Sequence, residues 1–173
     1  GAQNCHEQES YGAFTGSINS KMLKNIGAKY VIIGHSENRQ SGESNQLINL
    51  KIKSALKSGL KIIFCIGETL KEKRKKITKK ILNKQLKSGL NKINSKKDII
   101  IAYEPVWAIG TGLTADPQDA QDMHSFIRGL ISEVFGKDIS NQISILFCYI
   151  FILFMYKHTP RLSRVCRLIR DPC

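Results

Sequence analysis

The chain has 173 residues, of which 42% are hydrophobic and 24% are charged, a composition typical of one globular domain with a hydrophobic core. Its five scattered cysteines form no C-x-x-C pair and are odd in number, so they indicate neither a disulfide framework nor a zinc site and favour a reducing compartment. The net charge of +13 is unusually basic, so contact with nucleic acid or an acidic membrane surface has to be weighed.

Four apolar runs of strand length recur along the chain, at residues 30–33, 62–66, 99–103 and 143–147. They are continuously apolar rather than alternating, as expected of strands covered on both faces. Each interval between them leaves room for one helix, which predicts repeated βα units and a parallel sheet. The first residues lack an initiator Met and resemble the end of a further strand. We therefore expect about five βα units and a preceding N-terminal part.

The strongest charge run is residues 71–80, where seven of ten residues are basic. A helix beginning near Leu70 would place its apolar residues near one face and most of its lysines elsewhere. The apolar residues are Ile77, Ile81, Leu86, Leu90 and Ile93. A solvated helix face is therefore favoured over a nucleic-acid or membrane contact.

A second helix is predicted after Asp116-Pro117, which supplies an N-cap and a proline at the first helical position. Its apolar stripe follows spacings of three and four: Ala120, Met123, Ile127, Leu130 and Val134. Gly136 is a plausible stop. This periodicity is typical of buried core rather than of a cofactor site.

Residues 102–112 carry the most informative pattern. Glu104 stands at the end of a strand-like run and is followed by Pro105, Trp107 and two glycines, which suits a general base beneath a mobile loop. His35 follows the run 30–33 ahead of a short helix, whose N-terminus favours a neutral imidazole. In a parallel βα fold, both side chains would converge at the same mouth.

Five segments, in order and at matching spacing, resemble the triosephosphate isomerase family: 1–5 (GAQNC), 12–16 (GAFTG), 34–37 (GHSE), 65–68 (CIGE) and 102–112. The resemblance covers about residues 1–146. It implies the α/β class and the (β/α)8 TIM barrel, here an incomplete barrel of about five βα units. It also implies a cytoplasmic isomerase of glycolysis and gluconeogenesis, which interconverts dihydroxyacetone phosphate and D-glyceraldehyde 3-phosphate.

The resemblance also implies roles for individual residues. Glu104 would remove a proton from the carbon next to the substrate carbonyl, and neutral His35 would polarise that carbonyl through an enediol intermediate. Gly110, in the closing loop, would offer its backbone N–H to the phosphate. Glu37 is similar to a carboxylate that pairs with a catalytic lysine, and Thr15 to a residue that inserts into the neighbouring subunit of a homodimer. No metal and no organic cofactor is implied.

The chain departs from the family at both ends. The segment with the family's catalytic lysine is missing, and residues 147–173 form a divergent tail, apolar and then Arg-rich, in place of the Gly-Gly-Ser phosphate loop and the last strand. The apolar run 143–156 is shorter than the roughly 20 residues that span a bilayer. We therefore expect the isolated chain to be unstable and nearly inactive.

Two interpretations remain open. In the first, the chain is the isomerase, with no nucleic-acid or membrane partner. In the second, it is a non-catalytic remnant that binds anions, nucleic acid or a membrane surface through its basic face and tail. Cys65, at a predicted strand end, is interpreted as a packing residue rather than a nucleophile.

Overall fold

The computed structural model describes residues 1–94, 97–108 and 117–148, without the side chain of Pro117. Helices and strands alternate along much of this length. In chain order they are α1 (Ser20–Asn25), β1 (Tyr30–Ile33), α2 (Ser36–Gln40), α3 (Asn45–Lys57), β2 (Lys61–Ile66), α4 (Leu70–Arg74), α5 (Thr78–Gly89), β3 (Ile99–Tyr103), a 3₁₀ turn (Val106–Ala108), α6 (Pro117–Phe135), α7 (Lys137–Gln142) and β4 (Ser144–Phe147).

The four strands form one parallel sheet in the order β1-β2-β3-β4. The predicted bounds of β1 and β3 are confirmed, and β2 and β4 begin one residue away from their predicted starts. Ala2 forms a parallel bridge with Val31, so the N-terminal segment takes the position of a fifth strand beside β1. This arrangement is an incomplete α/β barrel, as predicted.

The core lies on one face of the sheet. Ile33, Phe64 and Ile101 are adjacent in register and fully buried, and they share a cluster with residues of α3, α5 and α6. The adjacent row on the opposite face is only half-buried: Ile32, Ile63 and Ile100. The prediction that both faces of the sheet are covered is thus confirmed only for the face on which the helices pack.

The single helix predicted from Leu70 was wrong, because the structure has two helices, α4 and α5, in this region. Thr69 and Glu72 form a capping box that starts α4. The helix ends at Arg74. Lys76, two residues further on, has a φ of 56°, and the N–H of Ile77 bonds back to the carbonyl of Glu72 at 3.2 Å. Such a left-handed residue terminates a helix.

The basic run and the bounds of α6 agree with their predictions, and the predicted N-cap Asp116 lies outside the described residues. Six of the seven basic side chains in residues 71–80 are exposed and the seventh, Lys73, is partly exposed, as expected of a solvated face. Helix α6 ends at Phe135, and Gly136 follows with a φ of 90°. None of the helices in the described ranges has the length and apolar character that crossing a bilayer requires.

Candidate active site

His35 lies where β1 ends and α2 begins. Gly34, just before it, has a φ of 79°, a left-handed conformation that glycine adopts without strain. The Nδ1 atom of His35 accepts a hydrogen bond from the backbone N–H of Glu37, with 3.4 Å between the nitrogens. Because Nδ1 is an acceptor, the proton of a neutral ring is on Nε2, the nitrogen nearest to Glu104.

Glu104 directly follows β3 and is only 2% exposed. Its Oε1 lies 3.2 Å from His35 Nε2, and its Oε2 accepts a hydrogen bond from the backbone N–H of Ser36 at 3.1 Å. Burial raises the pKa of this carboxyl above its ordinary value, and His35, Cys65 and Ser36 offset only part of that rise. The structure thus brings the two predicted catalytic side chains together in a desolvated site.

Gly67 allows the end of β3 to approach the chain that follows β2. A Cβ at this position would lie 1.8 Å from the carbonyl oxygen of Glu104, so no larger residue fits without a backbone shift. Gln85 fixes the other side, since its side chain bonds both the N–H and the carbonyl of Gly67 at 2.9 Å. The position of Glu104 after β3 therefore depends on a glycine in the loop that follows the neighbouring strand, β2.

Arg39 is a contributor to the site that sequence reasoning missed. Its guanidinium donates to the carbonyls of Gly34 at 2.7 Å and Cys65 at 3.2 Å, and to Asn45 Oδ1 at 2.7 Å. It therefore ties the end of β1 to the end of β2 and places a positive charge near Glu104, which lowers the pKa of that carboxyl. The sequence feature that could have identified it is an arginine in the short helix that follows His35.

Cys65 is buried at the end of β2, as a packing residue should be. Burial raises the pKa of its thiol far above the ordinary range, and the nearby Glu104 adds to the rise. A thiol that resists ionisation is a poor nucleophile. The interpretation of Cys65 as a packing residue rather than a nucleophile agrees with this environment and stays a prediction.

Glu68 anchors the segment that follows Glu104, a role that sequence reasoning did not assign. This carboxylate is 1% exposed and accepts hydrogen bonds from Tyr103 Oη at 3.1 Å and from Trp107 Nε1 at 3.0 Å. Burial raises the pKa of Glu68, and these two donors oppose the rise. Lys73 Nζ lies 3.1 Å from the centroid of the Trp107 ring on the outer side.

Of the three remaining predicted site residues, Glu37, Thr15 and Gly110, the first two are not part of the contact between His35 and Glu104. The Glu37 side chain is 85% exposed, with Oε2 3.8 Å from His35 Nδ1. Thr15 is exposed in a turn closed by a hydrogen bond from the N–H of Ser17 to the carbonyl of Phe14 at 3.0 Å. Gly110 lies outside the described residues. The roles of all three stay predictions.

The chemistry available at this pair is proton transfer. A buried carboxylate of raised pKa can accept a proton from carbon, and an imidazole N–H can donate to an oxygen. Among the residues that the structure describes, no group of three or more His, Cys, Asp or Glu side chains could hold a metal ion. The expectation that the enzyme uses no metal or organic cofactor stays a prediction.

Comparison with known proteins relates the chain to one family. The family model described as triosephosphate isomerase matches residues 1–148. The chain is 46% identical over 147 residues to "Triosephosphate isomerase" of Chloroherpeton thalassium, which covers 83% of this chain and 58% of the relative. It is 50% identical over 148 residues to that of Carboxydothermus hydrogenoformans, with 84% and 59% covered. The chain thus spans less than two thirds of these curated relatives, and it belongs to the triosephosphate isomerase family.

Proposed function

We propose that the protein carrying this chain interconverts dihydroxyacetone phosphate and D-glyceraldehyde 3-phosphate in glycolysis and gluconeogenesis. The observation that carries the proposal is the pair of partly buried His35 and buried Glu104, 3.2 Å apart at the strand ends of a parallel sheet. The curated relatives bear the name of this isomerase. Because the chain spans about 58% of their length, the activity is proposed for the whole protein.

Glu104 acts as the base and His35 as the acid in this proposal. The Glu104 carboxylate takes a proton from the carbon next to the carbonyl, and the electrons of that C–H bond move to the carbonyl oxygen. His35 Nε2–H gives its proton to that oxygen, which forms an enediol, and the imidazole then takes the proton of the neighbouring hydroxyl. As Glu104 returns its proton to the former carbonyl carbon, that neighbouring oxygen becomes the new carbonyl, so that both side chains are restored and no atom is gained or lost.

The contact between the two side chains has to open before substrate is bound. At 3.2 Å, no substrate atom fits between His35 Nε2 and Glu104 Oε1. The substrate's carbonyl oxygen therefore replaces Oε1 as the partner of Nε2. Glu104 also has to release the N–H of Ser36 to reach the substrate carbon. Burial supports this step, because a carboxylate with fewer water contacts is a stronger base.

Two further residues complete the proposed site. Gly110 would bind the phosphate through its backbone N–H, within a loop that closes over the substrate. Closure excludes water, which protects an enediol phosphate from losing its phosphate as a side reaction. Glu37 would pair with a catalytic lysine, and its exposed carboxylate is accessible for such a contact.

The protein is also proposed to form a homodimer through the loop that contains Thr15. Around this loop the chain exposes three large apolar side chains, Tyr11, Phe14 and Ile18, and Tyr11 is 65% exposed. A second copy that covers them would remove apolar surface from water. Light scattering after size exclusion should give twice the protomer mass for the whole protein. A monomer at all concentrations would refute the proposal.

Two broader assignments stay predictions. The first is the division into a partial barrel at 1–146 and a tail at 147–173, of which residues 149–173 lie outside the described residues. The second is a cytoplasmic location.

The test of the proposed function is Glu104→Gln in the whole protein, assayed for isomerisation in both directions. Loss of the base should lower kcat by about 10²–10⁴-fold. Glu133→Gln, at an exposed position of α6, is the matched control and should leave kcat unchanged. If Glu104→Gln retained full activity, Glu104 would not be the base. An inactive parent protein would refute the isomerase assignment itself.

A further inference from the structure

A cavity of about 270 Å³ lies beside the connection between α4 and α5. Neither His35 nor Glu104 lines it. Its size is just below the usual range for small-molecule sites. Apolar and aromatic side chains form part of its wall and lysines another part: Met123, Trp107, Phe147, Lys73, Lys76 and Lys79. This combination fits a ligand with an apolar body and a charged end.

The charge of the cavity favours an anion. Glu68 and Asp119 also line it, but the Glu68 carboxylate already accepts hydrogen bonds from Tyr103 and Trp107. Even with both acids ionised, the three lysines leave an excess positive charge. Exposed basic residues on the same connection, among them Lys75, add to this potential.

The backbone at Lys76 provides a second observation. Lys76 has a φ of 56°, a left-handed conformation that is strained for a residue with a side chain and free for glycine. This conformation belongs to the turn that follows α4, and it places Lys76 at the cavity wall. Lys92 has almost the same φ, 55°, but does not line the cavity. The two lysines therefore share a backbone conformation and differ in their surroundings.

We propose that this cavity binds a small aromatic phosphate. The phosphate is held by Lys73, Lys76 and Lys79, and the aromatic ring packs on Phe147 and Met123 beside Trp107, whose ring lies under the Lys73 ammonium. Lysines bind phosphate as point charges, and stacking on an aromatic ring stabilises a flat ligand. The proposal does not depend on the isomerase activity, because none of these residues contacts His35 or Glu104 in the proposed reaction.

The test uses Trp107, which is the only tryptophan of the chain and lines the cavity. Selective tryptophan fluorescence of the 173-residue chain is recorded during titration with phenyl phosphate, under conditions where circular dichroism shows the chain to be folded. We expect a saturable change that weakens as salt is added. Inorganic phosphate lacks the ring and phenol lacks the charge, so each should bind at least about tenfold more weakly. Absence of a saturable response, or equal binding of all three compounds, would overturn the proposal.

A matched pair of variants tests the role of Lys76. Lys76→Gly should weaken phenyl phosphate binding about tenfold, since one charge-assisted contact is lost. Lys92→Gly should leave binding unchanged. Both substitutions relieve the same left-handed strain, so circular dichroism melting should show that both variants stay folded. Unchanged binding in Lys76→Gly, or equal losses in both variants, would overturn the proposal.

Discussion

The substitution Gly67→Ala would test how closely the end of β3 depends on its neighbour. The added Cβ would lie 1.8 Å from the carbonyl oxygen of Glu104 and 2.9 Å from its carbonyl carbon. Neither partner can easily retreat. The side chain of Gln85 bonds both the N–H and the carbonyl of Gly67. The N–H of Glu104 donates to the carbonyl of Ile66 at 2.8 Å.

The magnitude follows from these distances. Carbon–oxygen contacts are seldom shorter than about 3.3 Å, so the alanine methyl and the Glu104 carbonyl have to separate by a further ~1.5 Å. Overpacking of this kind costs about 1–3 kcal/mol, and a weakened ladder hydrogen bond adds about 1 kcal/mol. We therefore expect a loss of about 2–4 kcal/mol in the free energy of unfolding. Displacement of a catalytic group by about 1 Å should also lower kcat by about 10²-fold.

Urea unfolding followed by circular dichroism measures the first effect, and the isomerase assay of the whole protein measures the second. Gly129→Ala is the control, because Gly129 lies within α6 and a Cβ there meets nothing within 4 Å. It should stabilise the protein by about 0.5–1 kcal/mol. An unchanged urea midpoint for Gly67→Ala would refute the argument that this close approach positions Glu104.

Three further outcomes are expected. Arg39→Gln removes a positive charge that lowers the pKa of Glu104, so the acid limb of the kcat/KM profile against pH should move to higher pH. The pKa of Glu68 is raised in the folded state, so its contribution to stability is full at acid pH and lost as pH rises through that pKa. Glu68→Gln should flatten this dependence in unfolding experiments at several pH values. Glu43→Gln should cost about 3–5 kcal/mol in urea unfolding, because it leaves the buried Lys51 ammonium without its ion pair.

Each of these outcomes has a control or a contrary result. An acid limb that stays in place in Arg39→Gln would show that the arginine acts on structure alone. Equal pH dependence in Glu68→Gln and the parent would remove Glu68 as its source. For the ion pair, Glu9→Gln breaks the contact with Lys57, which is 74% exposed, and should change stability by less than about 1 kcal/mol. Equal costs at the two pairs would contradict the argument from burial.

Much of the sheet and both members of the acid–base pair could be predicted from the sequence. Continuous apolar runs identify buried strands, and the bounds of β1 and β3 were correct. His35 and Glu104 could be paired because both follow strands of one parallel sheet, and such strand ends lie on the same side. The break between α4 and α5 was missed, since the apolar period continues through Ile77 while the backbone turns at Lys76.

The supporting contacts could not be predicted, because each depends on distances between segments far apart in sequence. Arg39 meets the carbonyl of Cys65, 26 residues away, and Glu68 receives the indole N–H of Trp107, 39 residues away. Glycine in a loop has many explanations. Only the packed structure shows that a Cβ at Gly67 would overlap the backbone of Glu104.

Three glutamates with little exposed side chain in the described part of the structure show that environment, rather than residue type, decides which carboxylate can act as a base. Glu43 is paired with Lys51, and an ion pair holds its charge in place. Glu68 accepts from Tyr103 and Trp107, so any movement would leave two buried donors without their acceptor. Glu104 also has a raised pKa, but its partners are one backbone N–H, the thiol of Cys65 and the imidazole of His35. A substrate carbonyl can take the place of Glu104 Oε1 beside His35 Nε2, so of the three carboxylates Glu104 is the one that can turn to a substrate.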